Sequence, residues 1–226
     1  MSDAGQWGIA PPGTYEAVLD RVRPLEGSLV LDIPCGQGAF ARQMAGEGAI
    51  CVAADHRAVP GHRRMVVADM NAGLPFRDGV FDVVTCLEGV EHVRNPSLLL
   101  HELSRILRPG GRLGLSTPNI HNLRSRIKFL LRGTLFWFDS REITGVGHVT
   151  VIPYFILKHL LAVAGFTVTS VQANAPVSPA LPALVARCWQ WAFSHPTSAD
   201  RELNSHLLLT GEGLIVFARK AQGGGS

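Results

Sequence analysis

The sequence is poor in charge and in long hydrophobic runs. Charged residues make up 17% of the 226 residues, and 21 Lys plus Arg nearly balance 18 Asp plus Glu. A formal net charge of +3 argues against a protein that binds nucleic acid through general electrostatic attraction, so we expect no nucleic-acid partner. No uncharged apolar run reaches the ~18 residues that a transmembrane helix needs. Since 46% of the residues are hydrophobic, the chain is nevertheless able to bury a sizeable core.

Cysteine is also scarce, and its spacing carries no metal or redox motif. Cys35, Cys51, Cys86 and Cys188 form neither a Cys-x-x-Cys pair nor a Cys/His zinc pattern, so we expect reduced thiols and a cytoplasmic location. The first residues lack the basic and then apolar layout of a signal peptide, which favours the same location. The length predicts a single domain over residues 1–221, and residues 222–226 are interpreted as a linker or tag remnant.

Short apolar runs alternate with helical patterns along the first half of the chain. The runs are rich in Val, Leu and Ile without polar alternation, which is typical of strands buried on both faces of a parallel sheet. Strands are predicted at 29–33, 50–54, 65–68, 81–86, 112–117, 167–172 and 214–219, and helices at 40–47, 97–107, 123–132 and 154–164. Asn95 is a candidate N-cap for the second helix, and residues 108–111 (RPGG) are predicted to end it in a turn. This alternation predicts a doubly wound α/β sheet with right-handed crossovers.

The strongest local signal is VLDIPCGQGAFA, residues 30–41. A predicted strand ends near Asp32, and Gly36 and Gly38 allow a tight turn and close approach of the backbone to a ligand. Asp55 ends the next strand, where an acid accepts hydrogen bonds from ribose hydroxyls. Because ligands of open α/β sheets bind outside the carboxyl ends of the strands, we expect a cofactor at this edge.

Two classes of cofactor fit these glycines. Gly36-x-Gly38-x-x-Ala41 matches a dinucleotide fingerprint, which alone is weak support for an NAD-dependent oxidoreductase. Asp32, however, lies where a dinucleotide would place its pyrophosphate, and a fixed carboxylate repels that anion. The same carboxylate attracts S-adenosylmethionine, which carries a sulfonium and an ammonium group and no phosphate. A purely structural alternative makes Asp32 a helix N-cap or a loop acceptor.

Five segments taken together resemble the class I S-adenosylmethionine-dependent methyltransferases. They are LDIPCGQG, the strand-ending Asp55, ADMNAGLPF, FDVVTCLEGVEHV and ILRPGGRLGLSTPN, and they occur in the expected order within residues 30–119. The resemblance implies a Rossmann-like, doubly wound α/β fold with a seven-stranded sheet, mostly parallel with the last strand antiparallel, and helices on both faces. It places insertions at about 119–150 and 174–212.

The resemblance also assigns cofactor contacts by position. Asp32 and the backbone of Gly36 and Gly38 would hold the methionine part, and Asp55 would hold the ribose. Pro34 stands where the family usually has glycine. Because proline lacks an N–H and fixes φ, we expect a stiffer loop that still binds the cofactor.

The same resemblance assigns the adenine side. Asp69 would meet the adenine amino group, and Met70 would offer its backbone N–H to the ring. Leu87, after the fourth strand, would line the cofactor.

Glu88, Glu91 and His92 are predicted to form the acceptor side of the site. Their i, i+3, i+4 spacing places them on one face of a helical turn, beside the transferred methyl group in the resembling fold. The chain here resembles the ubiquinone-biosynthesis O-methyltransferases, in which a Glu-x-x-Glu-His run binds a divalent cation. Such a cation would lower the pKa of an acceptor hydroxyl and orient it.

Two other interpretations of this group stay open. His92 is a candidate general base for a hydroxyl acceptor, with Glu91 and His148 as further candidate catalytic residues; the resembling family often has a Gly-His pair at the position of His148. The structural alternative is that the acids cap a helix and pair with Arg94 or Arg105.

Two later segments are candidates for peripheral contact with the inner membrane surface. Residues 123–132 (LRSRIKFLLR) read as a basic amphipathic helix, for which a solvated face on a packed helix is the usual explanation. Residues 181–193 are apolar and contain two tryptophans; they are too short to span a bilayer, so we expect them to cover the site, pack in a dimer or enter an interface.

The sequence therefore predicts an S-adenosylmethionine-dependent methyltransferase that acts on a small-molecule or lipid-linked acceptor, with O-methylation favoured by the acceptor-side residues. A non-catalytic or regulatory protein that acts through a partner is the main alternative. It is suggested by GLPFRDGVFDVV and VRNP, which also resemble methyltransferase-like proteins of methionine biosynthesis. Retention of Glu91 and His92 favours catalysis.

Overall fold

One mixed sheet organises the computed structural model, which describes residues 10–174 and 211–222. Within these ranges the sheet has seven strands in the order β3-β2-β1-β4-β5-β7-β6. Strands β1 to β5 run parallel, and β7 runs antiparallel to both of its neighbours. The last strand in the sequence is therefore the antiparallel one, as predicted. The strands are β1 (Leu29–Asp32), β2 (Ile50–Asp55), β3 (Met65–Val67), β4 (Phe81–Cys86), β5 (Leu107–Pro118), β6 (Phe166–Ala173) and β7 (Gly213–Lys220).

Helices cover both faces of this sheet. The helices are α1 (Thr14–Val22), α2 (Ala39–Gly46), α3 (Pro96–Ile106), α4 (Leu123–Arg132) and α5 (Tyr154–Val163). Helices α1 and α2 pack in one apolar core, whereas α3 and α5 pack in the other. Consecutive residues of β1 illustrate the division, since Val30 belongs to the first core and Leu31 to the second. Successive side chains of a strand point to opposite faces, which explains why the strands show no polar alternation.

Helix α3 follows its sequence signals closely. The Asn95 side chain accepts a hydrogen bond from the Leu98 N–H at 3.1 Å, and Pro96 is the first helical residue. Leu99, Leu103 and Ile106, which share one face of the helix, are fully buried. The helix ends at Ile106, one residue before the predicted end.

Strand β5 begins earlier than the sequence indicates. Residues 108–111 are predicted as a turn, but the strand already starts at Leu107, which pairs with Phe81. The next pair joins Arg112 to Val83, so the intervening residues form an irregularity in the register. Gly110, with φ of 74°, permits this irregularity because residues with a side chain rarely adopt positive φ.

Helix α1 is absent from the sequence prediction. Its N-cap is Gly13, which provides no capping side chain, so the usual start signal is missing. Val18, Leu19 and Val22 nevertheless bury it against the sheet. Tertiary packing therefore stabilises a helix with weak local signals.

Parts of the predicted organisation fall outside the described residues. These parts are Cys188, the segment 181–193, most of the insertion 174–212 and residues 223–226. In the described ranges, none of the helices is both long and apolar enough to cross a membrane.

Truncation of a core leucine tests the packing of α3. Leu103→Ala should lower the free energy of unfolding by ~2–5 kcal/mol, because Leu103 is fully buried and the change leaves a cavity. Leu98→Ala on the same helix is the matched control, since Leu98 is 40% exposed, and should cost less than ~1 kcal/mol. Urea unfolding followed by circular dichroism measures both values. Equal losses in the two variants would contradict the burial assignment.

Candidate active site

Asp32 ends β1 with its carboxylate buried beneath the glycine loop. It is 2% exposed, and its Oδ1 accepts a hydrogen bond from Thr85 Oγ1 at 2.9 Å. A backbone hydrogen bond from Ala41, in the first turn of α2, also reaches it. Burial raises the pKa of Asp32 to about 7, these hydrogen bonds oppose the rise, and the nearby Asp55 carboxylate adds to it. Asp32 thus accepts hydrogen bonds at the start of a helix and also places a titratable acid at the carboxyl edge of the sheet.

The glycine loop is held tightly between β1 and β2. Gly36 has a φ of 51°, and its N–H donates to Asp55 Oδ2 at 2.9 Å. Gly38 has a φ of 71°, and a Cβ at this position would lie 1.7 Å from His62 Nε2. The imidazole of His62 also contacts Arg42 Nη1 at 3.0 Å. Positive φ therefore favours glycine at both positions, and a side chain at Gly38 would also displace the His62 ring.

The Asp55 carboxylate contacts both the glycine loop and His56, a residue that the sequence analysis did not select. Its Oδ2 accepts from Gly36, and its Oδ1 lies 2.6 Å from His56 Nδ1. The side chain of Asp55 is almost buried, whereas that of His56 is mostly exposed. The only sequence signal for His56 was its position next to the predicted ribose-binding acid.

These residues open onto a cavity of about 750 Å³. Most predicted cofactor and acceptor residues meet there, and Tyr15 and Phe40, which sequence reasoning did not select, complete its wall. The predicted residues that line it are Asp32, Pro34, Gly36, Asp55, Met70, Leu87, Glu88 and His92. Gly38 is not among the lining residues.

The predicted adenine side forms a smaller, adjoining recess. It has a volume of about 150 Å³ and is lined by Asp69, Met70 and Asn71, together with Asp55 and other residues of the main cavity. The Asn71 N–H donates to Asp69 Oδ1 at 2.8 Å. This bond fixes the direction of the Asp69 carboxylate.

The acceptor-side acids do not lie on one helical face. Val90–His92 form a single 3₁₀ turn, and Glu88 precedes it with a φ of 48°, in the left-handed region. Ser116 Oγ donates to Glu88 at 2.6 Å, and Thr117 Oγ1 donates to Glu91 at 2.9 Å. The partners of both acids thus come from β5 rather than from Arg94 or Arg105, so the predicted arginine pairing is wrong. Arg105 instead pairs with Glu102 and Asp78.

Glu91 is fully buried and Glu88 is half-buried at the cavity wall, and both acids are electrostatically unfavourable as anions. Burial raises the pKa of Glu88 to about 7, although its hydrogen bonds with Ser116 and Glu91 oppose the rise. Burial and the neighbouring Glu88 raise the pKa of Glu91 well above its usual range. One oxygen of Glu91, Oε1, is buried without a hydrogen-bond partner. A proton donor or a cation is the complement that such an oxygen requires.

Glu91, His92 and His148 converge behind this wall. One potential ligand atom from each side chain lies within 4.8 Å of the others. The two imidazole rings meet edge to face at 4.9 Å between centroids. His148 is buried, whereas His92 is half-buried and reaches the cavity. The structure therefore brings together the three residues that the sequence selected as catalytic, although Glu88 does not belong to this group.

Backbone carbonyls fix the tautomers of both histidines. His92 Nδ1 lies 3.1 Å from the Gly147 carbonyl oxygen, and His148 Nδ1 lies 2.8 Å from that of Trp137. A ring nitrogen beside a carbonyl must be the donor, so each neutral ring keeps its lone pair on Nε2. Burial and the adjacent His148 lower the pKa of His92, which favours its neutral form. Trp137 has a φ of 66°, a strained conformation that is typical of functional sites.

The fold and the cavity define the class of protein. A doubly wound sheet with a glycine turn after β1, and with acids at the ends of β1 and β2, is typical of Rossmann-like proteins, which bind adenosine-containing cofactors. Residues 12–171 match the family model described as a methyltransferase domain. The chain therefore belongs to the class I S-adenosylmethionine-dependent methyltransferase family.

Relatives by sequence include enzymes of quinone biosynthesis. The chain is 35% identical over 116 residues to the ubiquinone biosynthesis O-methyltransferase of Pseudomonas paraeruginosa, covering 45% of this chain and 49% of that protein. It is 44% identical over 100 residues to the demethylmenaquinone methyltransferase of Mycobacterium marinum, covering 41% and 43%. The chain thus spans about half the length of the curated relatives it matches.

Solved structures support the same fold at lower identity. A methyltransferase from Mesorhizobium loti superimposes with a TM-score of 0.59 at 17% identity, covering 92% of this chain and 98% of that one. One from Archaeoglobus fulgidus gives 0.58 at 21%, covering 92% and 95%. Both are titled as S-adenosylmethionine-dependent methyltransferases.

The raised pKa of Asp32 makes a prediction about stability. A folded-state pKa above the unfolded value means that the acid favours folding at low pH and that this contribution is lost as the pH rises through about 7. Asp32→Asn removes the penalty while keeping the hydrogen bonds, since its amide can donate to Thr85 Oγ1, which donates in turn to the Leu31 carbonyl. The variant should exceed the wild type in unfolding free energy by an amount that grows from pH 4 to 7 and then levels off, at most about 4 kcal/mol.

Urea unfolding of the cofactor-free proteins at pH 4, 6 and 8 measures this difference, with Asp20→Asn at an exposed site as the control. The same Asp32→Asn variant should bind S-adenosylmethionine at least about tenfold more weakly at pH 8, as measured by calorimetry. A difference in stability that does not change with pH would refute the titration of Asp32.

Proposed function

We propose that this chain transfers the methyl group of S-adenosylmethionine to a hydroxyl group of a small-molecule or lipid-linked acceptor. The observation that carries the proposal is the pairing of two features in one cavity. The acidic, glycine-rich cofactor end contains Asp32, and the Glu91/His92/His148 group reaches the same space through His92. Bound S-adenosylmethionine supplies an electrophilic methyl group on a sulfonium, so the protein's task is to position the reactants and to take up a proton.

The residues present fit this cofactor. Asp32 offers a negative partner for its cationic end, and Gly36 of the glycine loop lines the same cavity. Asp55 offers its carboxylate to the ribose, and Asp69 and Met70 line the recess for the base. A cavity of about 750 Å³ is within the range of ligand sites, ~300–1,000 Å³.

His92 supports O-methylation because it is a neutral base at the cavity wall. Its Nδ1 is held by the Gly147 carbonyl, so the Nε2 lone pair is available to accept the hydroxyl proton. His148 and Glu91 lie directly behind it, and burial together with the adjacent His148 keeps the His92 ring in the neutral form that a general base requires. The relatives named as ubiquinone biosynthesis O-methyltransferases support transfer to oxygen.

The same three residues would hold a divalent cation. Two imidazole nitrogens and one carboxylate oxygen form a suitable donor set for a transition-metal cation, and Glu91 Oε1 is a buried oxygen without a partner. This candidate ligand set contains His148 in place of the Glu88 expected from the sequence, because potential ligand atoms of Glu91, His92 and His148 lie within 4.8 Å of one another. A cation there would lower the pKa of an acceptor hydroxyl and make a separate base unnecessary.

Replacement of His92 tests the catalytic assignment. His92→Asn should lower methyl transfer by about 10²-fold or more while leaving the Kd for S-adenosylmethionine within about threefold. His101→Asn, at an exposed site on α3, is the matched control and should behave as wild type. The measurements are transfer of labelled methyl to a small-molecule extract, read by mass spectrometry, and calorimetry for cofactor binding.

The outcomes separate the alternatives. Calorimetric binding of Mn²⁺ to EDTA-treated protein that is lost in Glu91→Gln would assign the group to a cation, and its absence would favour His92 as the base. Cofactor binding by the wild type without transfer to extracts would contradict catalysis and support the regulatory alternative.

We also propose peripheral contact with a lipid bilayer through α4. Its apolar side chains face outward rather than into the core, and Leu130 and Leu131 are 83% and 75% exposed. Among the basic side chains, Lys128 pairs with Asp139 and is mostly covered, whereas Arg124 pairs with Glu212 and stays about half exposed. The helix thus exposes apolar side chains in addition to basic ones, and such an apolar surface is covered at low cost by a membrane interface.

Co-sedimentation with phosphatidylglycerol vesicles tests this contact. The double variant Leu130→Glu, Leu131→Glu should lose most of the vesicle-bound fraction, because both changes place charge on the inserting face. Val67→Glu, on the exposed edge strand β3, is the control and should bind as wild type. Wild-type protein that stays in the supernatant would exclude the membrane proposal without affecting the cofactor site.

A further inference from the structure

Helix α1 places an aromatic side chain at the acidic end of the cofactor cavity. Tyr15 is the second residue of this helix and lines the cavity together with Asp32 and Glu88. The helix is fixed by Val18 and Val22, which are buried against the sheet. Its approach to β5 is close, because a Cβ on Gly114 would lie 3.0 Å from Val18 Cγ1. Tyr15 therefore has a defined position at the end of the site.

The ring of Tyr15 packs against Phe40 and also lines the cavity. It stacks on Phe40 with centroids 4.8 Å apart and an interplanar angle of 23°. Its hydroxyl makes a hydrogen bond with the backbone of Ala10. Burial and the two nearby carboxyls raise the pKa of Tyr15, so the ring stays neutral near physiological pH.

A neutral aromatic ring beside carboxylates suits a cation. The face of an aromatic ring is electron-rich and attracts positive charge, most strongly at desolvated sites. Among the described residues that line the cavity, Arg57, from the loop after β2, is the single arginine or lysine. The end formed by Tyr15, Asp32 and Glu88 is thus built for positive charge.

We infer that Tyr15 is a specificity residue for the sulfonium, and that with Asp32 and Glu88 it favours the charged methyl donor over its neutral thioether product. The inference rests on the proposed function, since it assumes that S-adenosylmethionine occupies the cavity. Loss of the positive charge on methyl transfer would weaken the contact with the ring and promote release of S-adenosylhomocysteine.

Comparison of donor and product affinities tests this inference. Tyr15→Leu should raise the Kd for S-adenosylmethionine about fivefold to thirtyfold, the equivalent of a cation–π contact, while the Kd for S-adenosylhomocysteine changes less than about twofold. Tyr15→Phe keeps the ring and should stay near wild type for both ligands. Calorimetry at pH 8 measures the four constants, and circular dichroism checks the fold.

Two controls keep the result interpretable. Tyr154 is the only other tyrosine of the chain. It is buried and lines neither of the two cavities described above. Tyr154→Leu should lower stability and leave the ratio of the two Kd values unchanged. Tyr15→Met replaces Tyr15→Leu if the latter does not fold, because methionine adapts to irregular spaces.

Equal weakening of both ligands in the ring-deleted variant, or an unchanged ratio, would overturn the role of Tyr15. A loss of donor affinity in Tyr15→Phe as large as in Tyr15→Leu would also overturn it, because the hydroxyl rather than the ring would be responsible. A wild type that binds neither ligand would instead refute the proposed function.

Discussion

A buried carboxylate at the end of β1 is the constraint on which the rest of the site depends. Asp32 lies under the glycine loop with hydrogen bonds from Thr85 and Ala41, but without a cation among the described contacts. Burial of an acid without a positive partner costs free energy, and the protein partly avoids this cost by raising the pKa of the group. A cationic ligand would remove the cost, so the same feature that destabilises the empty fold would stabilise the bound one. The loop glycines, the second acid Asp55 and the aromatic wall are arranged around this unmet charge.

The acceptor side follows a similar principle with a different chemistry. Glu91 is buried beside the half-buried Glu88, and both acids accept hydrogen bonds from hydroxyl groups of β5. The two histidines beside them are oriented by backbone carbonyls instead of acids, so each neutral ring keeps its lone pair on Nε2, away from the carbonyl. This side of the cavity thus combines a neutral imidazole at the wall with carboxyl groups whose pKa values are raised.

Helix α4 and strand β5 show where local patterns mislead. The α4 sequence predicts the helix correctly, but its apolar side chains are exposed instead of packed in the core, while Arg124 and Lys128 pair with acids elsewhere on the protein. Glu212 is distant from α4 in the sequence, and Asp139 lies beyond the loop that follows the helix. Nothing in the helix sequence itself therefore indicates these partners. Strand β5 begins before its predicted start because pairing with β4 extends across a segment whose proline and glycines suggest a turn.

The alternating α/β order, the glycine loop and the acids at the strand ends could be predicted from the sequence. These features depend on residues close together in the chain, such as the apolar strand followed by Gly36 and Gly38. Which distant side chains share a space could not be predicted in this way. The folded chain brings Tyr15 from an unpredicted helix to the cavity that Asp32 lines, and it places His148 beside His92 and Glu91, where the sequence indicated Glu88 as the third member of a metal site. Contacts of this kind depend on sheet order and helix packing, which bring together residues that no sequence spacing relates.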